Sequence, residues 1–153
     1  MFKGLSGKHA IVTGGSTLIG AGLVEAFVKA GATVTIADID AERGQAIADA
    51  CGKSAWFRQT DISDDGQLEA CVAESAKKFG RIDFVVNAAC VYVDDGINAS
   101  RSDWLTSMNV NLISAAMLVK AALPWMKKSG GGAVVNFTSI SSSVAQTPPT
   151  KCV

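Results

Sequence analysis

Thr13-Gly14-Gly15-Ser16-Thr17-Leu18-Ile19-Gly20 follows the apolar run His9-Ala10-Ile11-Val12 and opens a helical pattern. A pyrophosphate needs backbone N–H groups converging on it and room for close approach. A tight glycine-rich turn into a helix N-terminus supplies both, and the helix dipole favours the anion. Gly14 lets the chain leave the strand sharply, Gly20 and Gly22 allow the helix to pack closely, and Ser16 and Thr17 add hydroxyl donors. About two dozen residues further on, Asp38 closes the next strand-like run. A carboxylate there accepts hydrogen bonds from both hydroxyls of an adenosine ribose and repels a 2′-phosphate, so the expected cofactor is NAD and not NADP. The plainer readings are a strand–helix turn without a ligand and an Asp38 that caps the next helix; Asp40 is better placed for capping.

The elements that would hold these residues alternate. Strands are expected at His9–Thr13, Thr33–Ala37, Ala55–Thr60, Ile82–Asn87 and Ala133–Phe137. Helices are expected from Ile19 to Ala30, stopped by Gly31, and from Ala41 to about Cys51, capped by Asp40. A further helix, capped by Asp64 or Asp65, ends at Phe79 before Gly80. A long helical stretch runs from Arg101 to Lys128, with Leu112, Ala115, Ala116, Val119, Ala122 and Leu123 as its apolar stripe and Pro124 kinking or ending it. Strands joined by crossover helices, each strand a near-continuous apolar run, imply a parallel α/β sheet of about five strands covered on both faces. The expected organisation is one dinucleotide-binding domain over 1–138 and an irregular tail over 139–153, whose Thr147-Pro148-Pro149-Thr150 cannot continue a helix or central strand.

Composition narrows the function classes. The 153 residues fit one domain with a real core, and 14 acidic side chains balance 14 basic ones. That balance gives no electrostatic footprint for nucleic acid or an anionic membrane. No uninterrupted apolar run approaches the roughly 18 residues that span a bilayer, and the first residues lack the pattern of a secretory signal. Cys51, Cys71, Cys90 and Cys152 are scattered without a C-x-x-C pair, so neither a disulfide framework nor a metal site is expected, and the location expected is cytoplasmic. A serine hydrolase is excluded on similar grounds: there is no G-x-S-x-G elbow, and the single histidine, His9, opens the first strand.

The turn at Thr13–Gly20, Asp61-Ile62 after the third strand, the segment Asn87–Cys90, the helical Asn111 and the strand-then-serine run Asn136-Phe137-Thr138-Ser139 occur in this order. Together they resemble the short-chain dehydrogenases/reductases over nearly the whole chain to about Ala145. The resemblance implies a Rossmann-type doubly wound sheet, incomplete at its C-terminal end. It implies hydride transfer between NAD and a secondary alcohol or ketone. Gly14, Ser16, Thr17, Leu18, Ile19, Gly20, Asp38, Asp61, Ile62, Asn87, Ala88 and Ala89 would bind the cofactor, with Asp61 and Ile62 at the adenine. Asn111 would hold a water of the proton relay and Ser139 would hydrogen-bond the substrate oxygen. The 101–128 helix would join copies of the chain into a homo-oligomer, with Trp104 at the contact.

The chain departs from the family pattern at four places. Leu18 replaces the middle glycine of the phosphate turn, so the turn must keep a negative φ there or be strained. Ala88 replaces an asparagine and Cys90 a glycine, which crowds and depolarises the region near the cofactor. The family's Tyr-x-x-x-Lys should begin roughly a dozen residues after Ser139, near Cys152, and is not there; the single tyrosine is Tyr92. A tyrosinate beside a lysine exchanges the proton at the alcohol oxygen, and loss of such a general acid/base costs about 10²–10⁴ in rate. The chain is therefore expected to be the cofactor-binding part of such an enzyme and inactive alone. The competing expectation is a non-catalytic, truncated nucleotide-binding or oligomerising protein. A methyltransferase on a similar sheet predicts neither Asn111 nor Thr138-Ser139.

Overall fold

The computed structural model describes residues 4–93, 95 and 98–139. Beyond Ser139 the expected tail, including the position near Cys152, lies outside the described residues. The elements run β1 (His9–Thr13), α1 (Leu18–Lys29), β2 (Thr33–Asp38), α2 (Ala41–Cys51), a short 3₁₀ turn (Gly52–Ser54) and β3 (Ala55–Gln59). They continue through α3 (Asp65–Phe79), β4 (Phe84–Asn87), α4 (Arg101–Met108), a π turn (Asn109–Ile113), α5 (Ser114–Lys128) and β5 (Ala133–Asn136). The five strands form one parallel sheet in the order β3-β2-β1-β4-β5. This is a Rossmann-type α/β fold.

The core explains the apolar strands. Ile11 and Val85 face a layer made by Leu68, Cys71, Val72 and Ala76 of α3 and Leu118, Ala122 and Met126 of α5. Val12, Val34, Ile36 and Val86 face the opposite way, against Val24 of α1 and Ala48 of α2. Successive strand residues point to opposite faces, so a strand clad on both sides must be apolar throughout. β1 is buried at all five positions, with Ala10, Ile11 and Val12 as its apolar middle and His9 and Thr13 as hydrogen-bonded polar ends. Helix ends follow local chemistry: Asp40 caps α2 by accepting the Arg43 N–H, Asp64 caps α3 by accepting that of Gln67, and Gly80 (φ 77°) stops α3 in the left-handed region.

The long helix differs from expectation in its winding and in the face it buries. Residues 101–128 do form one helical run, but Asn109–Ile113 winds as a π turn. The stripe facing the sheet is Ser114, Leu118, Ala122 and Met126; of the six expected residues only Ala122 is buried. Pro124 does not end α5; it lies inside the helix on the exposed side, with Ala122 and Met126 packed in the core on either side of it. By length and composition Arg101–Lys128 is long and apolar enough to cross a membrane, yet α5 packs along α3 and β4 as one wall of the core. Leu105, Met108, Leu112, Ile113 and Trp104 are exposed on this run. All four residues of β5 are exposed too.

Candidate functional site

Parallel register lines up the carboxyl ends of the central strands. Thr13 lies beside Ala37 on one side and Asn87 on the other, and Asn87 lies beside Asn136. In open α/β sheets ligands bind outside these ends, where neighbouring strands lead their chains in opposite directions. Here that place is between β1 and β4, since β1 leads toward β2 and β4 leads toward β5.

The turn after β1 is shaped by close approach. Gly14 has φ +66°, and a Cβ there would lie 2.6 Å from Ala89 Cα. Gly20 packs against the Gly14 carbonyl so tightly that it too admits no side chain. Gly22 has open space around it, so it carries no packing role, contrary to expectation. Thr17 is the N-cap of α1: its hydroxyl donates to Gly14 O at 2.8 Å and accepts from Gly20 N at 3.4 Å. Leu18 is the first residue of α1, and no described residue other than glycine has a positive φ. The turn thus runs into the helix without the left-handed residue that a middle glycine would permit.

Asp38 ends β2 and is nearly buried. One of its oxygens accepts the Ser16 N–H at 2.9 Å and the other the Asp40 N–H at 3.0 Å. A carboxylate has about four acceptor positions, so each oxygen keeps capacity for a ribose hydroxyl. The Ser16 hydroxyl donates to Asp40 O at 3.5 Å. Helix capping falls to Asp40, as its spacing implied.

On the other side Thr13 does what sequence reasoning missed. Its buried hydroxyl accepts the N–H groups of Ala88 and Ala89 at 3.2 and 3.3 Å and donates to Val86 O at 3.4 Å. The signal was a threonine, a β-branched residue with a hydrogen-bonding tip, at the last position of a buried strand. Asn87 Nδ2 donates to Asn136 Oδ1 at 2.7 Å, tying β4 to β5. Asn111, inside the π turn, grips one backbone unit: Oδ1 accepts Val91 N–H at 2.8 Å and Nδ2 donates to Val91 O at 2.9 Å. Its side chain is thus occupied in holding the segment after β4. The geometry suits a π turn, whose extra residue displaces side chains from the regular helical pattern.

The remaining expected residues lie further out. Asp61 is exposed, and its Oδ1 accepts from the Ser63 N–H and hydroxyl at 2.9 and 2.7 Å. Ile62 is half-buried against the core layer that holds α3. Ser139 is exposed, three residues beyond the end of β5. Cys90 is exposed next to Ala89. At the foot of the sheet, far along β1 from Thr13, His9 forms a separate buried polar cluster. Its Nδ1 lies 2.9 Å from Thr33 Oγ1, and its Nε2 lies 2.8 Å from Ser75 Oγ and 3.1 Å from Thr35 Oγ1. Burial pushes the imidazole down to about 4, against an opposing pull from the Asp83 carboxylate. Asp83 itself is pushed up by burial but held at about 2 by Arg81, the His9 N–H and Lys8.

The fold is a parallel Rossmann-type α/β sheet with a glycine-rich turn after its first strand. The short chain dehydrogenase family matches residues 8–149, and this chain belongs to that family. It is 34% identical over 144 residues to the 3-oxoacyl-[acyl-carrier-protein] reductase FabG of Chlamydia pneumoniae, covering 92% of this chain and 58% of that protein. It is 35% identical to the probable galactose dehydrogenase GalD of Rhizobium meliloti, covering 91% of this chain and 56% of that protein. With the L-fucose dehydrogenase of Rattus norvegicus it shares 34% identity, covering 92% and 52%. The chain spans about half the length of the curated relatives it matches.

Proposed function

We propose that this chain is the NAD-binding part of an oxidoreductase that transfers hydride between NAD and a secondary alcohol or ketone. The observation that carries the choice of NAD is Asp38, fixed at the end of β2 beside Ser16. A carboxylate at that place accepts ribose hydroxyls and repels a 2′-phosphate. The fit to a dinucleotide rests on the turn at Gly14 and Gly20, where a Cβ would collide with the backbone of Ala89 and of Gly14, so the turn stays tight and free of side chains at both positions. Gly14, Ser16, Thr17, Leu18, Ile19 and Gly20 would hold the phosphates. Asp61 and Ile62 would flank the adenine, and Asn87, Ala88 and Ala89 the ribose side. Hydride capacity comes with the bound dinucleotide; the chain binds it, orients it and walls the cleft.

Ser139 would hydrogen-bond the substrate oxygen and Asn111 would keep the proton path in place through its hold on Val91. No Tyr-x-x-x-Lys occurs in the sequence, so the chain by itself is proposed to be inactive. The reading includes a cytoplasmic setting and homo-oligomer formation through 101–128, the latter supported by exposed Trp104, Leu105, Met108 and Leu112. The rival reading, a non-catalytic, truncated nucleotide-binding or oligomerising protein, draws on the same turn and the same apolar surface. Equilibrium binding of NADH and NADPH tests the nucleotide site and its choice of cofactor. Binding of NADH at least about tenfold tighter than NADPH, with no absorbance change on adding secondary alcohols, is the expected result. Failure of both nucleotides to bind would leave the oligomerising reading.

A further inference from the structure

We propose that copies of this chain associate head to foot, the basic foot of one sheet docking on the acidic head of the next. The inference does not depend on the nucleotide reading. In a parallel sheet every strand runs from foot to head, and every crossover helix returns from head to foot. Charges at helix starts therefore gather at one end of the molecule and charges at helix ends at the other. The equal numbers of acidic and basic side chains hide that separation. At the foot, the last turn of α3 holds Lys77 and Lys78, and that of α5 holds Lys127 and Lys128. The two ends lie together: α3 and α5 share one core layer, and Ser129 Oγ, just past α5, accepts the Ile82 N–H at 3.1 Å. Lys8 and Arg81 adjoin them and both bridge Asp83, which leaves that group one positive charge in excess. All four lysines are exposed, and among the described residues they form no ion pair. Elsewhere at the foot the charges cancel, Lys29 against Glu25 and Lys53 against Asp49.

The head carries the opposite sign. Asp64 and Asp65 open α3, Asp61 precedes them, Glu69 follows one turn on, and Glu42 lies in the first turn of α2. These five are exposed and form no ion pair among the described residues, while nearby Arg43 is held by Asp40. A helix start carries only about half a positive charge and a helix end about half a negative one. Two carboxylates at the start of α3 and two ammonium groups at its end outweigh and reverse that dipole. α3 has 15 residues, so the two patches stand about 22 Å apart. That is more than twice the screening length of about 8 Å in physiological salt, so they do not neutralise each other within one chain. A second copy displaced along α3 brings them together. One exposed ion pair contributes little, whereas facing patches of opposite sign orient the encounter and fix its register. Because the two surfaces differ, each added copy leaves a head and a foot open, and the association does not close on itself.

The test is sedimentation velocity of the full chain at rising concentration, in about 20 mM and about 500 mM salt. Species larger than those in high salt should form in low salt and grow with concentration. Two double variants are compared with the parent, Lys127→Glu with Lys128→Glu at the foot and Asp65→Lys with Glu69→Lys at the head, each checked for folding by circular dichroism. Each should need at least about tenfold higher concentration for the same growth. Mixed in equal amounts they should associate in one step and stop, because only one intact head and one intact foot remain to meet. Growth equal in both salts overturns the proposal and assigns the contact to the apolar surface of 101–128. A parent that stays one species in low salt overturns it as well, as does growth that neither variant alters. Should a variant not fold, the salt comparison on the parent decides alone.

Discussion

Asp38 and Ser16 are joined by a single backbone-to-carboxylate bond, Ser16 N–H to Asp38 Oδ2 at 2.9 Å, which ties the phosphate turn to the end of β2. The residue proposed to read the ribose therefore also holds the turn. Asp38→Ala should weaken NADH binding by about tenfold or more, and it should also cost about 1–3 kcal/mol in stability because the buried Ser16 N–H loses its acceptor. Urea melts read alongside the NADH titrations would show both losses. Loss of affinity at full stability would mean the turn does not need Asp38.

Thr13 offers a cleaner separation, since its hydroxyl faces only backbone. Thr13→Val keeps the shape but removes the acceptor for Ala88 and Ala89. A cost of about 1–3 kcal/mol is expected, with Thr13→Ser retaining most of it. Equal stability of the valine and serine variants would show that the two N–H groups find other partners.

Gly14→Ala should be among the most damaging small substitutions in the chain. The new Cβ would lie 2.6 Å from Ala89 Cα, at a φ of +66° that alanine adopts poorly. Destabilisation well above 1 kcal/mol, measured by chemical denaturation, is expected. The same change at Gly22, where nothing lies near, should be neutral or slightly stabilising.

His9 sets an acid limit. Its folded value near 4 lies below the ordinary 6.5, so the folded state binds its proton less readily than the unfolded state does. The stabilisation is complete above about 6.5 and is lost as pH falls toward 4, by roughly 3 kcal/mol. Asp83, held near 2, keeps its charge through that window and begins to matter only below its ordinary 3.8. Thermal melts from pH 7 to 4 should fall steeply for the parent. His9→Gln should be less stable at pH 7 but nearly flat over the same range. Parallel curves for the two proteins would sink the assignment to His9.

Much of this was legible in the sequence. The starts of α2 and α3 and the end of α3 follow from Asp40, Asp64 and Gly80, because caps act within one turn and need no tertiary context. The rotation of α5 was not legible. A π turn inserts one residue, and each residue turns a helix by about 100°. A stripe phased from Leu112 therefore points away from the sheet once Asn109–Ile113 has wound wide, and Leu118 and Met126 face inward instead. The site divides the same way. The glycines and Asp38 announced themselves by type and spacing, whereas the grip of Asn111 on Val91 depends on that π turn and on a chain end meeting it across 20 residues. Thr13 was hidden because a strand threonine is usually ordinary.

β1 carries the same kind of residue along its middle, Ala10-Ile11-Val12, which would fit either neighbour almost as well if displaced by two positions. What distinguishes its ends are polar pins: His9 at the foot, seated against Thr33, Ser75 and Thr35, and Thr13 at the head, seated against Val86, Ala88 and Ala89. A slip of two residues keeps every apolar side chain on its proper face yet strands both pins among groups that cannot bond them. The central strand thus works like a key cut only at its two tips, and alignment of the whole sheet is decided by two side chains at opposite ends.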